Sequence, residues 1–531
     1  MDSTFIRAQF RPIAVLVAVA FACVPLQMRA QMLSLDPGKM TRIASVDERF
    51  TSYNIEMAEV TGGNFWKLPY HEQSSTPANQ TQLARSASTP AGMNPNMYQY
   101  QPPIDLTNPR LRKLAAALGP AYVRVSGTWA NSVYFADSDT PPEKPPTGFS
   151  SVLTRKEWKG VIDFVHAVNG EIITSFATSI GTRDAQGVWT TKQASAWLAY
   201  TKSVGGQIAA AEFMNEPTYA AMGGAPKGYN AANYARDIAV FEPWLKKNSP
   251  NTIFLGPGSV GEGPFAIPMG ERLHSESLLE AIGPIYDVFS YHLYAAASER
   301  CASMGEAGQT TAAAVLSEEW LSRPEKISQY YAGLRDRFEP GKPLWITETA
   351  DAACGGNPWA STFLDTFRYL VEHASLARRG VKVILHNTLA SSDYGLLDQN
   401  TLQPRPNYWA TLLWHKLMGT TVLDPYVSAA PNTYVYAQCR VGQGGVTLLV
   451  INADQQHTFD LNVPTPSHRY TLTAKQLEDT TIELNGKPLR LTRSGDLPQL
   501  EGEPVNAGRV SFAPVSITFL SIRNPGNINC Q

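Results

Sequence analysis

This sequence has almost no excess of charge of either sign. Its 44 Lys and Arg stand against 46 Asp and Glu, a net charge of -2. That balance excludes the basic surface a nucleic-acid or anionic-membrane protein needs. Beyond residue 30 no apolar run is long enough to cross a bilayer. Cysteine is scarce, with five in the whole chain, and no Cys-x-x-Cys or His-x-x-x-His spacing occurs, so nothing points to a zinc site. No internal repeat is present beyond an alternation of helical and strand-like segments.

Residues 1–30 read as an export signal. Arg7 and Arg11 precede an apolar run from Ile13 to Leu26, and Met28-Arg29-Ala30 offers a small residue for cleavage. An exported protein, periplasmic or extracellular, is the expectation. Cleavage after Ala30 leaves Cys301, Cys354, Cys439 and Cys530, and an oxidising compartment favours pairing them. Spacing alone leaves the pairing open.

From Ser52 onward, short apolar strands alternate with amphipathic helices. Ser52–Glu56, Tyr122–Ser126, Glu171–Ala177, a strand running into Asn215-Glu216-Pro217, Thr252–Gly256, Asp287–Tyr294, Pro343–Thr349 and Val381–Asn387 make eight. Continuously apolar strands separated by helices form a parallel sheet, and eight of them close a (β/α)8 TIM barrel. We place this barrel at 51–419. After Gly419 the pattern changes to alternating residues with turn signals such as Asn485-Gly486, which predicts an antiparallel β-sandwich over 420–531. Residues 31–50 are expected to add a strand to that sandwich. A polar stretch from Gly62 to Pro103 is long enough to be a loop over a site.

The chemistry is carried by two strand ends. In AAAEFMNEPTY, Glu216 follows the fourth strand, and in PLWITET, Glu348 ends the seventh. Barrel enzymes keep their reacting groups at strand C-termini. Two carboxylates there can cleave a glycosidic bond, one protonating the leaving oxygen and the other attacking or activating water. No metal and no organic cofactor is called for. A lone Glu at a strand end is more often a solvated carboxylate or a cap; the pair changes that balance.

Four blocks, NPRLRKLAAALGPAYVRVSGT, the NEP segment, PLWITETADAACGGNPWAST and VKVILHNTLASSDYGLLDQNTLQPRPNYWATLLWHKLMGTTVLDP, resemble glycoside hydrolase family 79, the heparanase and β-glucuronidase family of clan A. The resemblance runs from about Leu106 to the C-terminus. It implies that Glu216 is the acid/base, Glu348 the nucleophile, and Asn215 the partner of the sugar 2-hydroxyl. His292 and Tyr294, in FSYHLY, match residues that orient the nucleophile. Gly355 and Gly356 match backbone amides that hold a uronic acid carboxylate, and Tyr394 the phenol that completes that pocket. Thr128, Asn54 and Glu56 match positions that bind non-reducing-end hydroxyls. The family also implies a Cys439–Cys530 bridge. Cys301 and Cys354 fall on adjacent strand-end loops, which suggests a second bridge bracing the acid-sugar pocket.

Two departures from heparanase matter. Only Ala136 to Ser150 separates the second strand from its helix, so no long excised linker is expected. The basic runs that hold sulfate groups are also missing; Lys246-Lys247 and Arg378-Arg379 read as solvated helix ends. The expectation is therefore a monomeric, exported, retaining β-glucuronidase acting on glucuronic-acid-containing oligo- or polysaccharide from chain ends, without nucleic-acid partners. Endo-cleavage of heparan sulfate or a related glycosaminoglycan is the alternative. Another clan A glycosidase, or a carbohydrate-binding barrel without catalysis, stands behind both.

Overall fold

A computed structural model describes residues 33–67, 89–266, 272–304, 310–427, 430–442 and 444–531. Residues 1–30, where an export signal is expected, lie outside the described residues, as does 68–88 in the polar stretch. Eight parallel strands close a barrel: β1 (Thr51–Glu56), β2 (Ala121–Ser126), β3 (Gly170–Ser175), β4 (Ile208–Glu212), β5 (Ile253–Ser259), β6 (Val288–Tyr294), β7 (Leu344–Ala350) and β8 (Val381–His386). Local chemistry starts the helices between them. Before Arg155–Ala167, for example, the Thr154 hydroxyl accepts from Glu157 N at 3.2 Å, and the Glu157 carboxylate accepts from Thr154 N at 2.8 Å.

The strand period of two sorts each strand's residues between the barrel interior and the helices. On β2, Val123 and Val125 pack outward, whereas Tyr122 joins Ile173, Ala210, Leu255, Trp345 and Leu385 in a separate apolar layer. The next positions on that face, Arg124 on β2 and Glu212 on β4, are charged, and both side chains are 1 % exposed. The interior therefore changes from apolar to ionic toward the strands' C-terminal ends, where the reactive groups are expected.

One sequence expectation is corrected here. The fourth strand does not run into Asn215-Glu216-Pro217. Its ladder ends at Glu212, paired with Leu255 and Ser175, and the chain bends through Phe213–Asn215 before a short helix at Pro217–Tyr219. Glu216 sits at the turn with φ 46° and ψ 65°, a left-handed conformation that side chains other than glycine seldom adopt.

Beyond the barrel lies a nine-stranded sheet that includes Arg42–Ser45, Met418–Leu423, Thr433–Arg440, Gly445–Asn452, Ser467–Thr473 and Ser516–Arg523. A smaller sheet covers one face of it, formed by Leu33–Ser34, Phe459–Val463 and Gly508–Phe512. The N-terminal segment thus gives a strand to each sheet; Arg42–Ser45 pairs antiparallel with Met418–Leu423, and Leu33–Ser34 pairs parallel with Phe459–Val463. The central strand Gly445–Asn452 is buried along its whole length. Leu448 and Val450 face the smaller sheet, while Leu449 and Ile451 belong to the barrel's own core. Double burial explains why this strand is continuously apolar instead of alternating. At the C-terminus Cys530 is bonded to Cys439, and Asn527 Nδ2 donates to the carbonyls of Pro37 and Met40 at 2.7 and 2.9 Å.

Candidate active site

The floor of the site is a buried cation. Arg124 donates from Nη2 to Glu212 Oε2 at 2.8 Å and to Asn215 Oδ1 at 2.7 Å, and from Nη1 to Glu348 Oε2 at 3.0 Å. Three segments are thereby fixed by one guanidinium: β4, the bend after it, and the end of β7. A charge with this little exposure is tolerable only because carboxylates match it, and they in turn hold the guanidinium in its charged form.

His292, on β6, bridges the two predicted glutamates. Its Nδ1 lies 2.9 Å from Glu216 Oε1 and 3.7 Å from Glu348 Oε2. Its Nε2 lies 3.3 Å from Arg124 Nη2. A guanidinium only donates, so Nε2 must be the accepting nitrogen, which puts the proton on Nδ1, facing the carboxylates. Burial lowers the imidazole to about 4, in agreement with a neutral ring. One oxygen of Glu216, one of Glu348 and a ring nitrogen of His292 all lie within 4.8 Å of one another. So compact a trio resembles a metal triad, but the Arg124 cation already faces Glu348 and His292 and would repel a second positive charge.

Glu216 is pushed up to about 7, mainly by burial, with Arg124 opposing and Glu212 adding to the rise. Desolvation, more than any neighbouring anion, is what raises it.

The other oxygen of Glu348 accepts from the Tyr294 hydroxyl at 2.5 Å. Asn387, just past β8, places its amide nitrogen 3.2 Å from the hydroxyls of both Tyr294 and Tyr394, and 3.2 Å from Glu56 Oε1. Glu56 is buried and raised well above the usual carboxylate range, first by desolvation and then by Glu348. Its carboxylate lies over the α-carbon of Gly127, where an added Cβ would stand 1.5 Å from Oε2. Only glycine fits that position, and the following residue, Thr128, begins the loop after β2.

Gly355 and Gly356 occupy the loop after β7 with φ of 85° and 79°. A Cβ on Gly355 would meet Trp66 at 2.6 Å, and one on Gly356 would meet the Tyr394 ring at 2.9 Å. Their carbonyls are engaged: Ser392 Oγ donates to Gly355 O at 2.8 Å, and Arg300 Nη1 and Ser298 Oγ donate to Gly356 O at 2.6 and 2.7 Å. In a trans peptide the N–H points opposite to the preceding carbonyl, so the Gly356 N–H faces away from Ser392. A disulfide joins Cys301 to Cys354 beside these glycines. Arg300 also pairs with buried Asp393 and donates to Lys67 O at 2.7 Å, tying together the loops after β6, β7 and β8 and the strand Gly63–Trp66.

The structure thus gathers Glu216, Glu348, Asn215, His292, Tyr294, Tyr394 and Glu56 into one connected network. Asn54 stands apart from it, its Nδ2 donating to the Thr347 carbonyl at 3.2 Å and bracing β1 against β7. Arg124, Glu212, Asn387 and Arg300 were not singled out from the sequence. For two of them a signal existed: an arginine inside YVRVS and a glutamate closing IAAAE are charges within otherwise apolar parallel strands, which require a partner.

Residues 102–373 match the family model described as Glycosyl hydrolase family 79, N-terminal domain. Heparanase-like protein 1 of Arabidopsis thaliana is 28% identical over 79% of this chain and 85% of its own length. Baicalin-beta-D-glucuronidase of Scutellaria baicalensis is 29% identical over 56% of this chain and 56% of its own. Among solved structures, a 4-O-alpha-L-rhamnosyl-beta-D-glucuronidase from Fusarium oxysporum 12S superposes with a TM-score of 0.60 at 14% identity, over 92% of this chain and 99% of that one, a likeness of fold.

Proposed function

The chain belongs to glycosyl hydrolase family 79 and is a glycoside hydrolase, and we propose that it is a retaining β-glucuronidase that acts on chain ends. The observation that carries the mechanism is the approach of Glu216 and Glu348 to within 4.8 Å, bridged by His292. Inverting enzymes separate their carboxyls by roughly 6.5–9.5 Å to admit a water; retaining ones hold them about 5–5.5 Å apart.

In this reading Glu348 attacks the anomeric carbon. Arg124 and Tyr294 grip its two oxygens, so it is both oriented and charge-matched before substrate arrives. Glu216, held protonated up to about pH 7, gives its proton to the leaving oxygen. It then draws a proton from the water that hydrolyses the covalent glycosyl-enzyme. Asn215, fixed by Arg124, meets the 2-hydroxyl. Gly355, Gly356 and Tyr394 hold the uronate carboxylate through neutral donors, a contact with mechanism because glycines let backbone N–H groups approach an anion closely.

The names of the relatives support a glucuronide substrate, one being a baicalin glucuronidase and another heparanase-like. The near-neutral net charge favours action at chain ends over endo-cleavage of a sulfated polymer. We further propose export, and function as a single-chain monomer; the two disulfides fit an oxidising compartment. The test is hydrolysis of p-nitrophenyl β-glucuronide beside the matching glucoside and xyloside, with sizing of digested heparan sulfate. Nitrophenol released from the glucuronide alone supports the reading. Shortened polymer with an inert small glycoside rejects it in favour of endo action.

A further inference from the structure

Just past the end of β7, the carboxyl of Asp351 is folded under the glycine turn, and the side chain is fully buried. Its Oδ2 accepts from Asn357 N at 2.9 Å and from Asn357 Nδ2 at 3.2 Å. Its Oδ1 has no hydrogen-bond partner. That bare oxygen lies 2.9 Å from where a Cβ on Gly356 would stand, and the Tyr394 ring lies 2.9 Å from the same point. Gly356 is thus clasped between the Asp351 carboxyl and Tyr394. Asn357 Oδ1 accepts from Glu299 N at 3.0 Å, which ties the turn to the loop after β6 as well. Within this turn the Gly355 N–H donates to no acceptor among the described residues.

The cations around Asp351 are committed elsewhere. On the helix Phe363–Arg378, Arg368 donates to the two oxygens of Asp365 at 2.7 and 2.9 Å and to Glu372 at 2.8 Å. Arg300, from the loop after β6, pairs with Asp393 in the loop after β8, and Arg405 donates to the carbonyls of Ser392 and Asp393 at 2.8 and 2.9 Å. Asp365 and Asp393 act on Asp351 as like charges, and Arg368 only partly offsets them.

A buried carboxylate with one bare oxygen and no cation of its own is costly, so the neutral acid is the form this environment tolerates. Burial first, and Asp365 next, push the group up to about 8. Because Oδ2 accepts two N–H bonds, the proton belongs on Oδ1, the oxygen that faces Gly356.

Resting on the reading that this turn holds a uronate carboxylate, we propose that Asp351 is a positioning residue for the acid sugar: its neutral carboxyl sets the Gly355–Gly356 turn and admits the anion, and release of its proton to solvent expels it. Two carboxylates served by one turn in a dry site repel strongly. Asp351 makes no hydrogen bond to Glu216 or Glu348, so its effect falls on affinity for the uronate and not on the bond-breaking step.

Binding is measured in a Glu216→Gln background, in which the acid/base no longer titrates. Calorimetry from pH 6 to pH 9.5 gives Kd for p-nitrophenyl β-glucuronide and for the matching glucoside. The glucuronide Kd is expected to rise roughly tenfold between pH 7 and pH 9, as the neutral fraction of Asp351 falls, while the glucoside keeps one Kd throughout. Adding Asp351→Asn, whose amide has the shape of the neutral acid, is expected to remove the rise. A rise that persists unchanged in the double variant overturns the assignment to Asp351. A flat glucuronide Kd in Glu216→Gln alone overturns it even where the Asn variant does not fold, and an equal rise for both ligands overturns it as well. A glucoside bound as tightly as the glucuronide at pH 6 rejects instead the glucuronidase reading on which the proposal rests.

Discussion

Arg124 Nη1 lies 3.0 Å from Glu348 Oε2 inside the barrel, where the two side chains are 1 % and 8 % exposed. The charge of Glu348, the proposed nucleophile, is thus balanced from below by Arg124. Because the same guanidinium holds Glu212 and Asn215, removing it should damage folding and catalysis together. Arg124→Met is expected to destabilise the protein by about 3–5 kcal/mol, since Glu212 would be buried without its partner. Denaturant unfolding measures the loss. Unchanged stability would mean that the cation is not needed to tolerate the carboxylates.

The two glutamates should separate by role. Glu348→Gln is expected to abolish turnover. Glu216→Ala should lower kcat by roughly 10²–10⁴ on substrates with poor leaving groups, and much less in the glycosylation step with nitrophenol, which departs without a proton. Added azide should rescue Glu216→Ala and give a β-glycosyl azide, because the covalent intermediate is then open on the face that Glu216 vacated. An α-azide from Glu216→Ala would reverse the assignment.

Activity should fall as pH rises through about 7, where Glu216 loses its proton. Stability should fall over the same window. Between the ordinary carboxyl value of 4.5 and about 7, the native state holds a proton at Glu216 that the unfolded state has released. Raising the pH therefore favours unfolding, by up to about 3 kcal/mol for this group. Glu59, raised to about 8 by burial, adds to the trend. Glu216→Gln should be inactive yet more stable than the parent at pH 8, with a flatter pH dependence of Tm. An equal pH slope in both would refute the buried protonated acid.

Gly356→Ala forces a β-carbon against the Tyr394 ring at 2.9 Å and requires a left-handed backbone. We expect KM for the glucuronide to rise tenfold or more, about 1.4 kcal/mol, with a smaller change in kcat, because the carboxylate pocket shifts while the glutamates stay. An unchanged ratio of glucuronide to glucoside turnover would show that the carboxylate is held elsewhere.

Loss of the Cys439–Cys530 bridge, through a double substitution to Ser, should cost about 2–5 kcal/mol of stability with little effect on kcat, since the bond closes a 91-residue separation within the apolar core of the sandwich. The same change at Cys301 and Cys354 should instead raise KM for the glucuronide, because that bond adjoins Gly355. Thermal unfolding and steady-state kinetics on both variants distinguish the two.

The barrel was legible in the sequence because a parallel strand covered on both faces must be continuously apolar, and eight such strands stand out between amphipathic helices. The two glutamates were legible because strand C-termini are where a barrel exposes its reactive groups. Within the sandwich, Ser467–Thr473 and Gly508–Phe512 mix polar with apolar residues, and pairing with distant neighbours defines them. Arg124, Glu212 and Asn387 belong to a different case. Sequence shows that Arg124 and Glu212 are charges in apolar strands, but not which charges meet, because contacts at separations of 88 and 224 residues are created by closure of the barrel. Composition and period determined the architecture; the two proposed catalytic carboxylates were singled out by strand-end position together with the family resemblance. Tertiary structure alone decided the tautomer of His292 and the burial that raises Glu216, since each depends on what stands opposite a side chain once the sheet has closed.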